Sequence, residues 1–159
     1  MVNWLGVGAK EGDERESWAP HAAVAVIPST ILVVEDEAFV REVTCEILEL
    51  AGYAVLKARN GVEARGAFQQ RGENIQLLIT DVVLPGENGR DLATCLNVIQ
   101  PGLKTIFISG YPENAISRDG SPPEGFVYLP KPFSVDSLMR KVRKVLPEGK
   151  MAKRAAGTG

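Results

Sequence analysis

The chain has 159 residues, 45% of them hydrophobic and 24% charged, with a formal net charge of -2. This is one domain's worth with some surplus, enough for a hydrophobic core, in an ordinary globular composition. The near-balanced charge argues against a nucleic-acid stripe or a membrane-binding basic face, and no apolar run approaches the roughly 20 residues that span a bilayer.

Residues 1–28 show no sustained period and read as a poorly ordered extension, although Trp4, Leu5 and Trp18 carry enough apolar surface to dock. His21, the only histidine, has no acidic neighbour or helical frame and reads as an incidental surface residue. No basic stretch leads into an apolar core with a small-residue cleavage site, so no secretion signal is expected and the protein is placed in the cytoplasm. Cys45 and Cys95 lack metal-ligand spacing and read as small buried or half-buried residues of helices.

From residue 30 the pattern alternates between strand and helix. Thr30 to Glu35 reads as a strand, and Glu37 to Ala51 as a helix with Phe39, Val40, Val43, Ile47 and Leu50 on its apolar face. Asp36 or a neighbour opens that helix and Gly52 closes it. Tyr53 to Ala58 is a second strand, Asn60-Gly61 a turn, Val62 to Arg71 a second helix and Ile75 to Asp81 a third strand. A third helix covers Gly89 to Ile99 and a fourth strand Leu103 to Ser109. The proline-broken stretch Tyr111 to Glu124 leaves room for a short fourth helix near Glu113 to Arg118, the segment expected to be most mobile. Gly125 to Tyr128 is a fifth strand, and Ser134 is the N-cap of a last helix that runs to Leu146. The whole predicts a doubly wound α/β domain with a five-stranded parallel sheet and helices on both faces, residues 29–147, followed by a flexible tail, 148–159.

Charged residues stand where the apolar runs stop. Glu35 and Asp36 follow Ile31-Leu32-Val33-Val34, Asp81 follows Leu77-Leu78-Ile79-Thr80, and Lys131 follows the run that ends at Leu129-Pro130. Strands of a parallel sheet end on one edge, so three carboxylates and one ammonium gather in the crevice there. Crowded carboxylates repel unless a cation sits among them, and a hard divalent ion, magnesium, is the natural one. Each residue has a plainer reading: the acidic pair as a helix cap, Asp81 as a turn former, Lys131 as a solvated lysine. Their coincidence at one sheet edge is what carries the functional reading.

Four segments together resemble the receiver domain of two-component response regulators, in family order and over residues 30–146. They are Ile31 to Glu37, Thr80 to Gly89, Ile108-Ser109-Gly110 and Tyr128 to Phe133. The wording of Leu78 to Leu92 and Ser109 to Ile116 is most similar to receivers of hybrid sensor histidine kinases or stand-alone single-domain regulators. The resemblance implies a flavodoxin-like (βα)5 fold with strand order 2-1-3-4-5. It implies that Asp81 is the phosphoacceptor, that Glu35, Asp36, Asp81 and the Val83 backbone carbonyl hold Mg2+, and that Lys131 pairs with the phosphoryl group. Ser109 and Tyr128 become the switch pair, and the Lys131–Pro132 bond is cis. The phosphoryl donor would be a sensor histidine kinase or a histidine phosphotransfer protein, and the output an unknown downstream protein. On this reading the chain is not an enzyme beyond catalysing its own phosphorylation and dephosphorylation.

Val83 and Tyr111 stand two residues after the phosphoacceptor and the switch hydroxyl, where neither orients water well, so slow autodephosphorylation is expected. The proline-broken region implies an atypical fourth helix. The alternative is a Mg2+-dependent phosphatase of the haloacid dehalogenase type. That family needs a second aspartate two residues after the first, where this chain has Ala38 and Val83. A flavodoxin-like cofactor binder is disfavoured because Glu35 and Asp36 would repel a flavin phosphate.

Overall fold

The structure is a computed structural model that describes residues 27–110 and 126–147. The described residues from Pro28 onward belong to one compact unit. Its strands are β1 (Thr30–Val34), β2 (Ala54–Ala58), β3 (Ile75–Asp81), a short hairpin of β4 (Val83–Leu84) and β5 (Glu87–Asn88), then β6 (Lys104–Ser109) and β7 (Val127–Pro130). The helices are α1 (Ala38–Leu50), α2 (Gly61–Arg71), α3 (Gly89–Ile99) and α4 (Val135–Val145), with one 3-10 turn at Gly72–Asn74.

Five strands form a parallel sheet in the order β2-β1-β3-β6-β7, which is 2-1-3-4-5 when the hairpin is left out of the count. The strands are apolar on both faces because both are covered, as parallel sheets require. Leu32, Val34, Leu78 and Phe107 face Ala64 and Phe68 of α2 and Leu92 and Leu96 of α3. Ile31, Val33, Leu77 and Ile79 face Cys45 and Leu48 of α1 and Leu138, Met139 and Val142 of α4. Alternate residues of each strand thus serve opposite cores.

Local signals set the element ends. Asn60 caps α2 by accepting the Glu63 N–H at 2.9 Å, and Asn88 caps α3 by accepting the Arg90 N–H at 2.8 Å. Ser134 and Ser137 form a reciprocal capping box at α4. Gly52, at φ 97°, takes the left-handed conformation just past α1.

Several expectations are corrected. The buried face of α1 is Thr44, Cys45 and Leu48, whereas Phe39 and Leu50 are 77% and 82% exposed and Val43 is also exposed. The helix carries two apolar arcs, and the arc with smaller residues allows the closer approach to the sheet. Thr44 folds its hydroxyl back onto the Val40 carbonyl at 2.6 Å, so no polar group is stranded on that face. Cys95 is exposed rather than half-buried. It is the neighbour of Asp36, Glu37, that opens α1, and it does so without a side-chain hydrogen bond. After Asp81 the chain forms the β4–β5 hairpin, two short strands to which the sequence pattern assigns no element. The fifth strand is Val127–Pro130, two residues later than expected, while residues 111–125, with the expected fourth helix, lie outside the described residues, as do His21, Trp4, Trp18 and the tail.

Candidate functional site at the carboxyl edge of the sheet

Strand register brings the predicted residues together. Val34 lies beside Thr80, Asp81 beside Ile108, and Ser109 beside Pro130, so Glu35, Asp81, Ser109 and Lys131 line up across four adjacent strand ends. Main-chain bonds lock this row: Val82 N–H donates to the Ile108 carbonyl at 3.0 Å and Lys131 N–H to the Ser109 carbonyl at 2.9 Å. The Lys131–Pro132 bond is cis.

Asp81 is 8% exposed and its two oxygens are used differently. Oδ1 accepts the Val83 N–H at 2.9 Å, and Oδ2 accepts the Lys131 ammonium at 2.7 Å. The same ammonium lies 2.7 Å from Glu35 Oε2, without hydrogen-bond alignment, while Glu35 Oε1 accepts the Glu37 N–H at 3.1 Å. Asp36 is exposed, and one oxygen each of Glu35, Asp36 and Asp81 lies within 4.8 Å of the others. Ser109 is buried, 5% exposed, beside them.

Burial raises the Glu35 carboxyl above its ordinary value, against the pull of the Lys131 ammonium and the Glu37 N–H. Burial pulls Lys131 down, but ion pairs to Asp81 and Glu35 win and hold it above the usual lysine value. The two directions are consistent: Lys131 has two acids to itself, whereas nearly solvent-free Glu35 shares one ammonium. Three carboxylates against one ammonium leave uncompensated negative charge, and a buried Glu35 oxygen lacks an aligned donor. Oxygen ligands at this spacing suit a hard divalent cation, so Glu35, Asp36 and Asp81 could hold one.

Sequence reasoning missed the residues that aim these groups. Arg41 Nη1, one turn into α1, donates to the Glu35 carbonyl at 2.9 Å and the Asp36 carbonyl at 3.4 Å, fixing the acidic pair's backbone. Gly89 N–H donates to the Val82 carbonyl at 2.7 Å, and a Cβ at 89 would lie 1.9 Å from the Asp81 carbonyl oxygen, so only glycine lets α3 start there. No periodicity marks either residue.

Tyr128 is half-buried next to this row. Its ring stacks on Phe107 at 5.5 Å between centroids and 28° between planes, and the Arg90 guanidinium carbon lies 5.8 Å from its centroid. Its hydroxyl is buried without a hydrogen-bond partner among the described residues.

A parallel α/β sheet of this strand order with acids and a lysine at its carboxyl edge defines a receiver-type domain. The family model described as "Response regulator receiver domain" matches residues 31–143, and the chain belongs to that family, whose work is phosphorelay signal transduction. The chain is 38% identical over 118 residues to the sensor kinase CckA of Brucella abortus (strain 2308), covering 74% of this chain and 12% of that one. It is 36% identical over 116 residues to the response regulator receiver protein CpdR of the same organism, covering 73% and 95%. The crystal structure of the receiver domain from the hybrid histidine kinase CckA superimposes with a TM-score of 0.62 at 36% identity, covering 74% and 98%. The chain therefore spans a small part of one relative and nearly all of another. No helix among the described residues is long and apolar enough to cross a membrane.

Proposed function

We propose that residues 29–147 form a receiver domain in which Asp81 accepts a phosphoryl group from the phosphohistidine of a sensor histidine kinase or a histidine phosphotransfer protein. The extension 1–28 and the tail 148–159 lie outside it, and the working compartment is the cytoplasm. A carboxylate oxygen of Asp81 attacks phosphorus, the P–N bond breaks, and the electron pair leaves on the imidazole nitrogen, which takes up a proton. The observation that carries this is the environment of Asp81. It is a nearly buried acid at the end of the central strand, with an ammonium 2.7 Å from one oxygen and two further acids within 4.8 Å.

Glu35, Asp36, Asp81 and the carbonyl of Val83 would hold Mg2+, which supplies charge neutralisation at the phosphoryl oxygens when bound. Lys131 orients the phosphoryl group and balances its charge. Ser109 and Tyr128 read its arrival, the hydroxyl turning toward the phosphoryl oxygen and the ring following. The added charge biases the surface that a downstream protein reads. The domain catalyses only its own phosphorylation and dephosphorylation.

Incubation with Mg2+ and acetyl phosphate, read by intact mass, should add one phosphoryl group to the wild type and none to Asp81→Asn. Multiple turnover of a diffusible phosphate ester would support the phosphatase alternative in its place. Val83 is 56% exposed beside Asp81 and offers water no hydrogen bond from its side chain. Val83→Asn is accordingly expected to shorten the lifetime of the phosphorylated form, and an unchanged decay rate would remove the side chain from that role.

A further inference from the structure

The β4–β5 hairpin stands directly on the phosphoacceptor. Pro85-Gly86 makes its two-residue turn, with Gly86 at φ 78° where a proline followed by a positive-φ residue is wanted. Leu84 opposes Glu87 and Val83 opposes Asn88, and the Gly89 N–H to Val82 carbonyl bond closes the ladder beyond them. In that alternation Val83–Asn88 is the pair without mutual hydrogen bonds, so the amide groups of Val83 face away from β5. Its N–H goes to Asp81 Oδ1 at 2.9 Å, and its carbonyl is left outside the ladder.

Two strands of two residues do not hold themselves rigid. Glu87 ties the hairpin down from outside: its Oε1 accepts Arg65 Nη1 at 3.0 Å and its Oε2 accepts Arg65 Nη2 at 2.8 Å, a two-pronged bond to the middle of α2. The Glu87 side chain is only 21% exposed and the Arg65 side chain 38%, so the bond is partly shielded from water. Its carboxylate rests on Gly61 in the first turn of α2, where a Cβ would lie 1.3 Å from Oε1 and 2.8 Å from Arg65 Nη1. A glycine in a helix is a poor choice by propensity, and here it makes the seat for that carboxylate.

We propose that Glu87, seated on Gly61 and gripped by Arg65, is a positioning residue that holds the hairpin so that the Val83 backbone stays fixed against Asp81. The proposal rests on the reading of Asp81 as phosphoacceptor for its consequence, though not for its geometry. Two variants break the grip by different routes. Glu87→Ala removes the carboxylate; Gly61→Ala keeps it but displaces it with a methyl group, while helix propensity by itself would favour the alanine.

The first measurement is amide hydrogen exchange in the metal-free 159-residue chain. Both variants should speed exchange at Val83 by about tenfold, with the amides of β1 and β3 unchanged. The second is Mg2+ binding by calorimetry, where both should weaken affinity by roughly tenfold at unaltered melting temperature. Wild-type exchange at Val83 in either variant overturns the proposal. So does acceleration spread evenly over the sheet with a lower melting temperature, which would make the contact a general stabiliser. The exchange arm needs no metal, so a wild type that binds no Mg2+ would count against the proposed function and leave the positioning role standing.

Discussion

A carboxylate in water is a weak nucleophile, and what distinguishes Asp81 is its surroundings: one oxygen tied to a backbone N–H, the other to an ammonium, and little solvent at either. The charged ends of the strands were readable in advance because charge directly after an apolar run is conspicuous. Arg41, Gly89 and Glu87 were not, since each acts through backbone or side-chain contacts that one-dimensional patterning does not encode. The cysteines show the same limit. Cys45 and Cys95 both sit in helical patterns, yet Cys45 is buried and Cys95 exposed. Burial pushes the Cys45 thiol from its ordinary 9.0 up to about 11, because the thiolate would lose its solvation. A raised pKa means that the native state holds its proton longer. The stability this gives is complete below about pH 9 and is lost as pH rises through about 11. At pH 8 a thiol reagent should label one cysteine per native chain, Cys95, and two in denaturant; rapid native labelling of Cys45 would contradict its burial.

At the scale of elements, the hydrophobic run lengths and the turn residues located β1, β2, β3, α2, α3 and α4 to within a residue or two. Helix α1 is where the pattern misled. Phe39, Val43 and Leu50 form the more obvious stripe, but the sheet takes the arc with Thr44, Cys45 and Leu48. Periodicity identifies a helix with apolar arcs and does not rank two of them; the room available above Ile31, Val33, Leu77 and Ile79 does. The energetic consequence is direct. Leu48→Ala should destabilise by about 2–5 kcal/mol in urea unfolding, and Leu50→Ala by less than about 0.5 kcal/mol. Equal losses at the two positions would mean that the helix is rotated from the orientation described. The same limit applies to the hairpin. Pro85-Gly86 is suited to a turn, but two-residue strands carry no periodic signal and emerge only from pairing.

At the scale of the whole molecule, the domain gathers like charges on one edge and leaves them short of compensation. A cation that binds there binds the folded chain alone, because the unfolded chain does not bring Glu35, Asp36 and Asp81 within reach of one another. Mg2+ at a hundred times its dissociation constant should add about 2.7 kcal/mol of stability, several degrees in melting temperature, and chelation should reverse it. Asp36→Ala should abolish most of that gain, and a Mg2+-insensitive melting point in the wild type would remove the cation from the site. The sequence by itself determined the alternation of strand and helix, the parallel sheet buried on both faces, and the identity of the charged residues at its edge. Those follow from local periodicity and from the rule that parallel strands end together. Only the tertiary structure decided which arc of α1 faces the sheet, that Lys131 spans Glu35 and Asp81, and that Glu87 crosses to Arg65 over Gly61. Each of these is a contact between residues distant along the chain, set by the space that packing leaves.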